Sequence, residues 1–182
     1  MLRVIDFWAA FFGLLLLWPV LLIVVIIGLF DTGHPIFIQT RVGKDKKPFK
    51  LIKFRTMSVE TQSVASHLAC NSTITRLGSI LRKTKLDELP QLINVLKGEM
   101  SLVGPRPNLF NQQELIEQRE QRGVYAVLPG VTGLAQVQNI DMSTPELLAK
   151  TDKQMIDSLT IKHYFQYILM TVTGSGVGDA VK

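Results

Sequence analysis

The sequence predicts a mainly helical α+β protein in which an apolar N-terminal helix precedes one small domain. Of the 182 residues, 47% are hydrophobic and 19% are charged, yet no charged residue occurs between Phe7 and Phe30. Beyond that run, apolar residues recur mostly at helical spacing, with a few short segments of strand length. The chain is too short for two ordinary domains, so we expect an anchor over residues 1–32 and one domain over residues 33–182.

The apolar run is long enough for a membrane segment. As a helix it would extend roughly 36 Å, which exceeds the hydrocarbon core of a bilayer. A cleaved signal peptide is a competing interpretation, but its apolar region is shorter and ends at small residues. Pro19 removes a helical hydrogen bond and predicts a bend. The helix would then cross the bilayer with a kink, or turn at Pro19 and leave on the same face. The residues alone favour crossing, because irregular backbone exposed to lipid is costly.

The net charge of +5 is concentrated after the apolar run. The basic residues there are Arg41, Lys44, Lys46, Lys47, Lys50, Lys53 and Arg55. Such a cluster is typical of a segment that stays cytoplasmic and attracts anionic lipid headgroups. No zinc-finger spacing or RNP-like strand accompanies the charge, so nucleic acid is not expected as a partner. The single cysteine, Cys70, excludes an intramolecular disulfide and fits a reducing compartment.

The first half of the domain is predicted to contain a hairpin and two helices. Residues 35–39 and 49–54 are expected to pair as strands around a turn, and polar residues from Ser58 to Thr73 predict a mobile loop. A short amphipathic helix is predicted over 75–84. A second helix is predicted over 87–97, with Asp87 as its N-cap and glycine at its end.

The second half of the domain contains one strand-length segment and more helix. Residues 100–103 predict a strand, and two prolines stiffen the loop that follows it. We expect an exposed helix over 108–122 and a turn at 129–133, followed by a short apolar run. From Pro145 to about Thr173, apolar residues recur at helical spacing. They fit either a core helix pair or a helix that lies in the membrane interface.

Asp87 and Glu88 are the candidates for chemistry. Taken alone, Asp87 is most simply a helix cap. A carboxylate near a helix N-terminus is held ionised, and the same amides stabilise an incoming phosphate. An ionised carboxylate can attack phosphorus and form an acyl phosphate. Arg82 and Arg106 would supply guanidinium groups that suit phosphate oxygens. Mg²⁺, held by Asp87 and substrate oxygens, would neutralise a diphosphate.

Four blocks of sequence follow one another along the chain. They are Gln39–Gly43 leading to Lys53–Met57, then Arg82–Val95, Gly98–Pro107 and Pro129–Val137. In this order they resemble the bacterial sugar transferases, the monotopic polyprenyl-phosphate phosphoglycosyl transferases of glycan and glycoprotein assembly. The resemblance extends from about Phe7 to Thr173.

The resemblance implies a ping-pong reaction. Asp87 would attack the β-phosphate of a UDP-sugar, expected to be a UDP-N-acetylamino sugar, release UMP and become a phosphosugar ester. Undecaprenyl phosphate would then accept the phosphosugar, and Glu88 would assist its deprotonation or help to place Mg²⁺ and the acceptor. The resemblance also implies substrate contacts for a set of further residues, which are Lys53, Arg55, Arg82, Arg106, Pro107, Thr132, Gln136 and Asp152.

The resemblance further implies a re-entrant N-terminal helix, with anchor and domain on the cytoplasmic face of the bacterial inner membrane. The family breaks this helix at a Ser-Pro pair, whereas this chain has Trp18-Pro19. Leu134 stands where the family usually has tryptophan, and Met155 replaces the tyrosine of a C-terminal Asp-x-x-Tyr pattern that begins at Asp152. These departures concern contacts with sugar or uracil and leave the acidic pair intact.

Two functions follow from these observations. One is the transferase, and the other is a non-catalytic membrane adaptor with the same fold. The intact Asp87-Glu88 pair with both arginines favours the enzyme, because an adaptor has no physical need for that combination. Exposed apolar residues of the C-terminal segment could pack against lipid or against a second copy of the chain. A homodimer is therefore one of the alternatives for the oligomeric state.

Overall fold

The computed structural model describes residues 1–60 and 73–174. Helices predominate, and the described strands form two small two-stranded sheets. The predicted mainly helical α+β class is therefore confirmed. Helix α1 spans Leu2–Asp31, and helical structure continues on both sides of Pro19. The bend at Pro19 and the domain boundary after residue 32 stay predictions.

Helix α1 lies along the rest of the protein instead of projecting from it. Ala10, before Pro19, is buried in a cluster with Val95. Val24, after Pro19, packs against Phe54 and other side chains of the domain. Both halves of the helix therefore contact the same domain. Most large apolar side chains of α1 are nevertheless exposed, so the helix offers an apolar surface to its surroundings.

An antiparallel hairpin follows α1, as the sequence predicts. Strand β1 (Ile36–Val42) pairs with β2 (Pro48–Phe54) around a short 3₁₀ turn, Lys44–Lys46. The side chains of β2 that face inward pack on α1 and on the helix that follows the acidic pair. Of the predicted loop, the backbone N–H of Ser58 donates to the carbonyl of Thr73 at 3.0 Å. Residues 61–72 lie outside the described residues.

Helix α2 (Arg76–Thr84) confirms the predicted amphipathic helix, and its N-cap Thr75 accepts a hydrogen bond from the N–H of Gly78 at 2.9 Å. The next helix differs from the prediction. Lys85 adopts a left-handed conformation with φ of 56°, which ends α2 and leads into a 3₁₀ turn, Leu86–Glu88.

Helix α3 begins only at Gln91 and ends at Lys97, before Gly98. The prediction that Asp87 caps this helix is therefore wrong. The N–H of Leu89 bonds the carbonyl of Leu86 at 3.2 Å, so the 3₁₀ turn uses the hydrogen bonds that a longer helix would have begun with. Asp87 lies in the middle of that turn.

Strand β3 (Ser101–Val103) confirms the predicted strand and pairs in parallel with β4 (Gly130–Thr132). The predicted turn at residues 129–133 is therefore wrong, because this segment finds backbone partners on β3. Its glycines and proline suggested a local turn, but the pairing is between segments far apart in sequence. Helix α5 (Leu134–Val137) follows β4 directly.

Helix α4 (Gln113–Gln121) is shorter than the predicted helix over 108–122. The side-chain oxygen of Gln112 accepts a hydrogen bond from the N–H of Leu109 at 2.8 Å, which holds the preceding residues in a turn. The helix is also not simply exposed, since Leu115 and Arg119 are buried. A 3₁₀ turn, Val124–Ala126, follows it.

The C-terminal segment forms two helices, α6 (Pro145–Ser158) and α7 (Ile161–Val172). Tyr164 and Tyr167 of α7 are buried in a cluster with Met155 of α6, as expected for a core helix pair. Phe165 and Leu169 of α7 are exposed, as expected for an interfacial helix. The packing of this helix pair in the core is therefore confirmed, and a place for α7 in the membrane interface stays a prediction.

Candidate active site

The 3₁₀ turn between α2 and α3 presents the acidic pair to a loop from β3. Asp87 is buried, with 2% of its surface exposed. Glu88 accepts a hydrogen bond from an Nη atom of Arg106 at 2.8 Å, and both side chains of this ion pair are only partly exposed. The structure therefore brings together three residues that the sequence analysis selected.

Backbone contacts fix the loop that carries Arg106. The N–H of Gly104 donates to the carbonyl of Thr132 at 2.8 Å, and the N–H of Gly130 donates to the carbonyl of Pro105 at 2.9 Å. The two glycine backbones are so close that a Cβ added to Gly130 would lie 2.0 Å from the nitrogen of Gly104. Parallel pairing thus places the loop beside the segment that contains Thr132.

A buried arginine holds the same loop from its other side. Arg119 donates from an Nη atom to the carbonyl oxygen of Arg106 at 2.8 Å and to the side-chain oxygen of Asn108 at 2.9 Å. Its Nε and second Nη atoms donate to one carboxylate oxygen of Asp152 at 3.0 and 2.7 Å. Arg119 and Asp152 are each 1% exposed.

These contacts change the interpretation of Asp152. Its carboxylate faces Arg119 in the interior, so it does not present itself to a ligand, and we assign it to positioning the Arg106 loop through Arg119. Burial raises the pKa of the Asp152 carboxyl, and the charge of Arg119 opposes that effect. Pro107, another predicted substrate contact, is buried as well and accepts a hydrogen bond at its carbonyl from Arg41 at 3.2 Å.

Lys85 joins the acidic turn to the end of α7. Its ammonium group donates to the carbonyl of Thr171 at 3.1 Å, and the hydroxyl of Thr171 contacts the hydroxyl of Thr132. Burial lowers the pKa of Lys85, the attraction of Glu88 opposes this effect, and Arg106 lowers the pKa further. Lys85 therefore lies within electrostatic reach of both members of the ion pair.

The remaining predicted cations lie on α2 and at the end of β2. Nε of Arg82 donates to the hydroxyl of Thr56 at 2.9 Å. Lys53 and Arg55 lie over the ring of Phe37, with Nζ and Cζ at 5.8 and 5.3 Å from its centroid. Strand β2, which carries Lys53, contacts the 3₁₀ turn of the acidic pair. Arg55 also donates to a backbone carbonyl of the segment before β1.

Gln136 supports the segment that carries Thr132. Its amide nitrogen donates to the carbonyl of Val131 at 2.8 Å. Its side-chain oxygen is buried and has no hydrogen-bond partner among residues 1–60 and 73–174. That oxygen could accept a hydrogen bond from a ligand only after a local rearrangement.

The carboxylates of the site suit a hard cation held largely by its substrate. Within the described part of the chain, no three histidine, cysteine or acidic side chains converge as a metal cluster. The turn supplies two carboxylates, those of Asp87 and Glu88, and Glu88 is paired with Arg106. Mg²⁺ commonly uses one or two carboxylates and completes its shell with phosphate oxygens and water, so this donor set fits that ion.

Lys85, Arg119 and the buried Asp6 of α1, which bonds to the backbone of β3, were not selected from the sequence. Lys85 stands within the second block, but nothing local indicated its left-handed backbone. Arg119 was assigned to an exposed helix, because a single arginine in a polar segment gives no sign of burial. Asp6 could have been found from the sequence more easily than Lys85 or Arg119. An acidic residue at the start of an apolar helix needs a hydrogen-bond partner if it is buried.

Comparison with known proteins finds a matching family and several similar proteins. A family model described as bacterial sugar transferase matches residues 1–176. An uncharacterised sugar transferase of Bacillus subtilis is 35% identical over 181 residues, which are 99% of this chain and 89% of that protein.

Several relatives have a named activity. A UDP-glucose:undecaprenyl-phosphate glucose-1-phosphate transferase of Caulobacter vibrioides is 38% identical over 180 residues, or 93% of this chain and 67% of the relative. A protein of the same name from Escherichia coli K12 is 44% identical over 149 residues, or 78% of this chain. The match covers 32% of the Escherichia coli protein, so that relative is much longer.

Proposed function

Because the chain belongs to the bacterial sugar transferase family, we propose that it transfers a sugar 1-phosphate from a UDP-sugar to a polyprenyl phosphate and releases UMP. Several relatives are named as undecaprenyl-phosphate sugar phosphotransferases, and the chain is a transferase. The observation that carries the proposal is the buried Asp87 next to the Glu88–Arg106 ion pair. This arrangement supports the proposal, because the proposed nucleophile would have a guanidinium group that suits phosphate beside it.

Asp87 is the proposed nucleophile. One of its carboxylate oxygens attacks the β-phosphorus of the UDP-sugar and forms an acyl-phosphate bond. The bond from that phosphorus to the bridging oxygen breaks, and UMP leaves with the electron pair. An oxygen of the polyprenyl phosphate then attacks the same phosphorus, which restores the Asp87 carboxylate and yields a polyprenyl diphospho-sugar. Dividing the transfer into two displacements makes each step easier.

Arg106 and Lys85 are two cations close to the acidic pair. A carboxylate and a diphosphate repel each other, so positive charge must lower the barrier to their approach. Arg106 donates from one Nη atom to Glu88, and its guanidinium group is also the proposed contact for phosphate oxygens. Glu88 therefore orients Arg106 and is also the proposed base that assists deprotonation of the acceptor.

Mg²⁺ is the proposed metal ion, with Asp87 as its protein ligand. When bound, it would neutralise charge on the diphosphate. Arg82, Lys53 and Arg55 are the proposed outer contacts for the phosphates, and Thr132 and Gln136 lie on the segment proposed to line the nucleotide-sugar pocket. Pro107 is proposed to contribute through its rigid backbone.

Helix α1 is the proposed membrane element. Only 11% of an apolar stretch of 18 residues in this helix is buried inside the protein, whereas the core helix of a soluble protein is mostly buried. Both halves contact the same domain, which favours a helix that enters the bilayer and returns over one that leaves on the far side. We place the domain on the cytoplasmic face of the bacterial inner membrane, where basic residues and UDP-sugars are found.

A UMP-release screen tests the reaction. Detergent-purified protein with Mg²⁺ and undecaprenyl phosphate would be assayed against UDP-N-acetylamino sugars, UDP-glucose and UDP-galactose. We expect release of UMP with an amino-sugar donor and essentially none for Asp87→Asn. Relatives are named for glucose and for N-acetylgalactosamine, so both donor types belong in the panel. No UMP from any donor would favour the adaptor alternative, and wild-type turnover by Asp87→Asn would exclude Asp87 as nucleophile.

A further inference from the structure

Asp6 is a buried carboxylate at the start of an otherwise apolar helix. Only 2% of its surface is exposed. One oxygen, Oδ1, accepts hydrogen bonds from the hydroxyl of Ser101 at 3.0 Å, from the N–H of Leu102 at 2.8 Å and from the hydroxyl of Tyr164. Burying a carboxylate is costly unless it is hydrogen-bonded, so these donors are what permit Asp6 here. An ordinary membrane anchor has no need of such a residue.

Arg3 lies one turn before Asp6 and contacts the end of α3. Its Nη atoms donate to the carbonyls of Val95 at 2.5 Å, Leu96 at 3.3 Å and Met100 at 3.2 Å. The last carbonyls of a helix have no partners within the helix and carry partial negative charge. Arg3 therefore satisfies the C-terminus of α3 from outside, and we call Arg3 and Asp6 together the N-terminal clamp.

The N-terminal clamp binds the segment that carries the proposed catalytic residues. Residues 87–106 begin with the acidic pair and end with Arg106, and the two ends meet in the Glu88–Arg106 ion pair. Arg3 holds the middle of this segment, at the end of α3. Asp6 holds β3, a few residues before Arg106. Both contacts therefore act on the elements that set the distance between Asp87 and Arg106.

Asp6 reaches the site by a second route through α7. Tyr164, which donates to Asp6, is followed two helical turns later, roughly 10 Å along the axis, by Thr171. Thr171 accepts the hydrogen bond of Lys85 and contacts Thr132. A shift of Tyr164 would thus move Thr171, which contacts both Lys85 next to the acidic turn and Thr132 on β4.

We propose that the N-terminal clamp positions the catalytic segment relative to the membrane helix, so that Arg3 and Asp6 are positioning residues of the transfer reaction. This inference rests on the proposed function. Neither residue is proposed to touch substrate. Because α1 is the part of the protein that enters the bilayer, the clamp would fix the site's distance from the membrane surface, where the phosphate of the acceptor lies.

The alternative is that Asp6 and Arg3 only stabilise the fold. A positioning role lowers kcat for the folded enzyme, because small displacements of reacting groups are expensive. A purely structural role lowers the amount of folded protein and leaves kcat per folded molecule unchanged. Kinetics corrected for the folded fraction therefore separate the two.

The test compares Asp6→Ala, Asp6→Asn and Tyr164→Phe with wild type in the UMP-release assay. We expect kcat to fall about 10- to 100-fold for Asp6→Ala, with less change in KM for the UDP-sugar. Asp6→Asn keeps the acceptor oxygen without its charge, so its kcat should lie between those of wild type and Asp6→Ala. Tyr164→Phe should lose little further activity when combined with Asp6→Ala, because both act at one contact. The matched control is Leu148→Val, a buried site in a separate cluster with Leu115 and Ala135. It should lower the unfolding temperature without changing kcat.

Amide hydrogen exchange supplies a readout independent of activity. In Asp6→Ala the amide of Leu102, which loses its acceptor, should exchange about tenfold faster, and protection should also fall over residues 103–106. In Arg3→Met the protection from exchange should fall mainly over residues 95–100.

The results that overturn the N-terminal clamp are a wild-type kcat for Asp6→Ala once folded protein is counted, or unchanged exchange over residues 102–106. If the wild type releases no UMP, the proposed reaction fails. The exchange experiment then still decides whether Asp6 holds this segment. If Asp6→Ala does not fold, Asp6→Asn and Tyr164→Phe carry the same comparison.

Discussion

Arg106 is shared between an acidic side chain and the proposed phosphates. Its guanidinium group contacts Glu88 at 2.8 Å, while its backbone carbonyl is held by the buried Arg119. The side chain is thus oriented at both ends before any substrate arrives. A planar guanidinium can serve a carboxylate and a phosphate together, which an ammonium group does less well.

Replacement of Arg106 should therefore act on the reaction more than on stability. We expect kcat/KM for the UDP-sugar to fall about 10²- to 10³-fold for Arg106→Gln and less for Arg106→Lys, as for other charge-stabilising groups. Steady-state UMP release measures both. The matched control is Lys46→Gln, which removes the exposed ion pair with Glu120 and should leave kcat/KM unchanged. Equal effects at Arg106 and Lys46 would contradict a role for Arg106 at the site.

The Arg119–Asp152 pair is the residue-scale contact with the largest expected effect on stability. Asp152→Ala would leave a buried guanidinium without its carboxylate, which costs about 3–5 kcal/mol in other buried pairs. Chemical denaturation of the membrane-extracted protein measures the loss. The double variant Arg119→Met, Asp152→Leu should recover much of it, because no uncompensated charge remains. A double variant less stable than Asp152→Ala would contradict this account.

At the scale of elements, α2 is placed by a direct backbone contact. A Cβ on Gly78 would lie 2.0 Å from the carbonyl oxygen of Thr56, and the same carbonyl accepts the N–H of Thr75 at 3.1 Å. Only glycine allows the start of α2 to approach the end of β2 this closely. The contact brings Arg82 within reach of Thr56.

Gly78→Ala should displace α2 and cost about 1–3 kcal/mol, a range typical of overpacked sites. Activity should fall as well, because Arg82 moves with the helix. Ser79→Ala in the same helix is the control, and we expect its stability to stay within about 0.5 kcal/mol of wild type. Thermal unfolding followed by circular dichroism compares the two. A stability for Gly78→Ala equal to that of Ser79→Ala would show that the close approach is not required.

The elements also show which features the sequence can predict. The hairpin, α2, β3 and the long apolar helix follow from local periodicity, and the structure confirms them. Two predictions failed where distant contacts or an unusual backbone decide. The left-handed Lys85 moves Asp87 out of the helix cap, and parallel pairing with β3 turns the predicted turn at 129–133 into a strand.

The candidate site divides in the same way. Arg106 and Glu88 were selected from the sequence, and the structure joins them in an ion pair. Asp152 was expected to contact substrate, but it pairs with Arg119, a partner 33 positions away that no local pattern reveals. The proposed ionisation of Asp87 by a helix cap also loses its basis, since Asp87 does not occupy one.

At the scale of the whole molecule, helix α1 packs on the domain with one face and exposes large apolar side chains on the other. The helix buries residues on both sides of Pro19 against the domain and leaves large side chains such as Phe12 and Leu16 exposed. This division supports the proposal that the protein lies on one side of a bilayer, where one face of the helix would meet protein and the other would meet lipid.

Leu16→Lys should therefore weaken membrane association. A lysine in the apolar core of a bilayer costs about 2.5–3.5 kcal/mol on insertion scales. Flotation with vesicles that contain anionic lipid measures the bound fraction, and we expect a clear decrease. Gln121→Lys, on an exposed position of α4, adds the same charge and should not reduce binding. Equal binding of Leu16→Lys and wild type would contradict insertion of this face.

The central claim is that Asp87 carries the phosphosugar between two half-reactions. Mass spectrometry of the intact protein after incubation with the active UDP-sugar and Mg²⁺, without acceptor, tests it most directly. We predict a mass increase of one sugar phosphate, located on Asp87 by peptide mapping, absent in Asp87→Asn and removed by undecaprenyl phosphate. Turnover in the presence of acceptor without any such adduct, or an adduct that persists in Asp87→Asn, would contradict the claim.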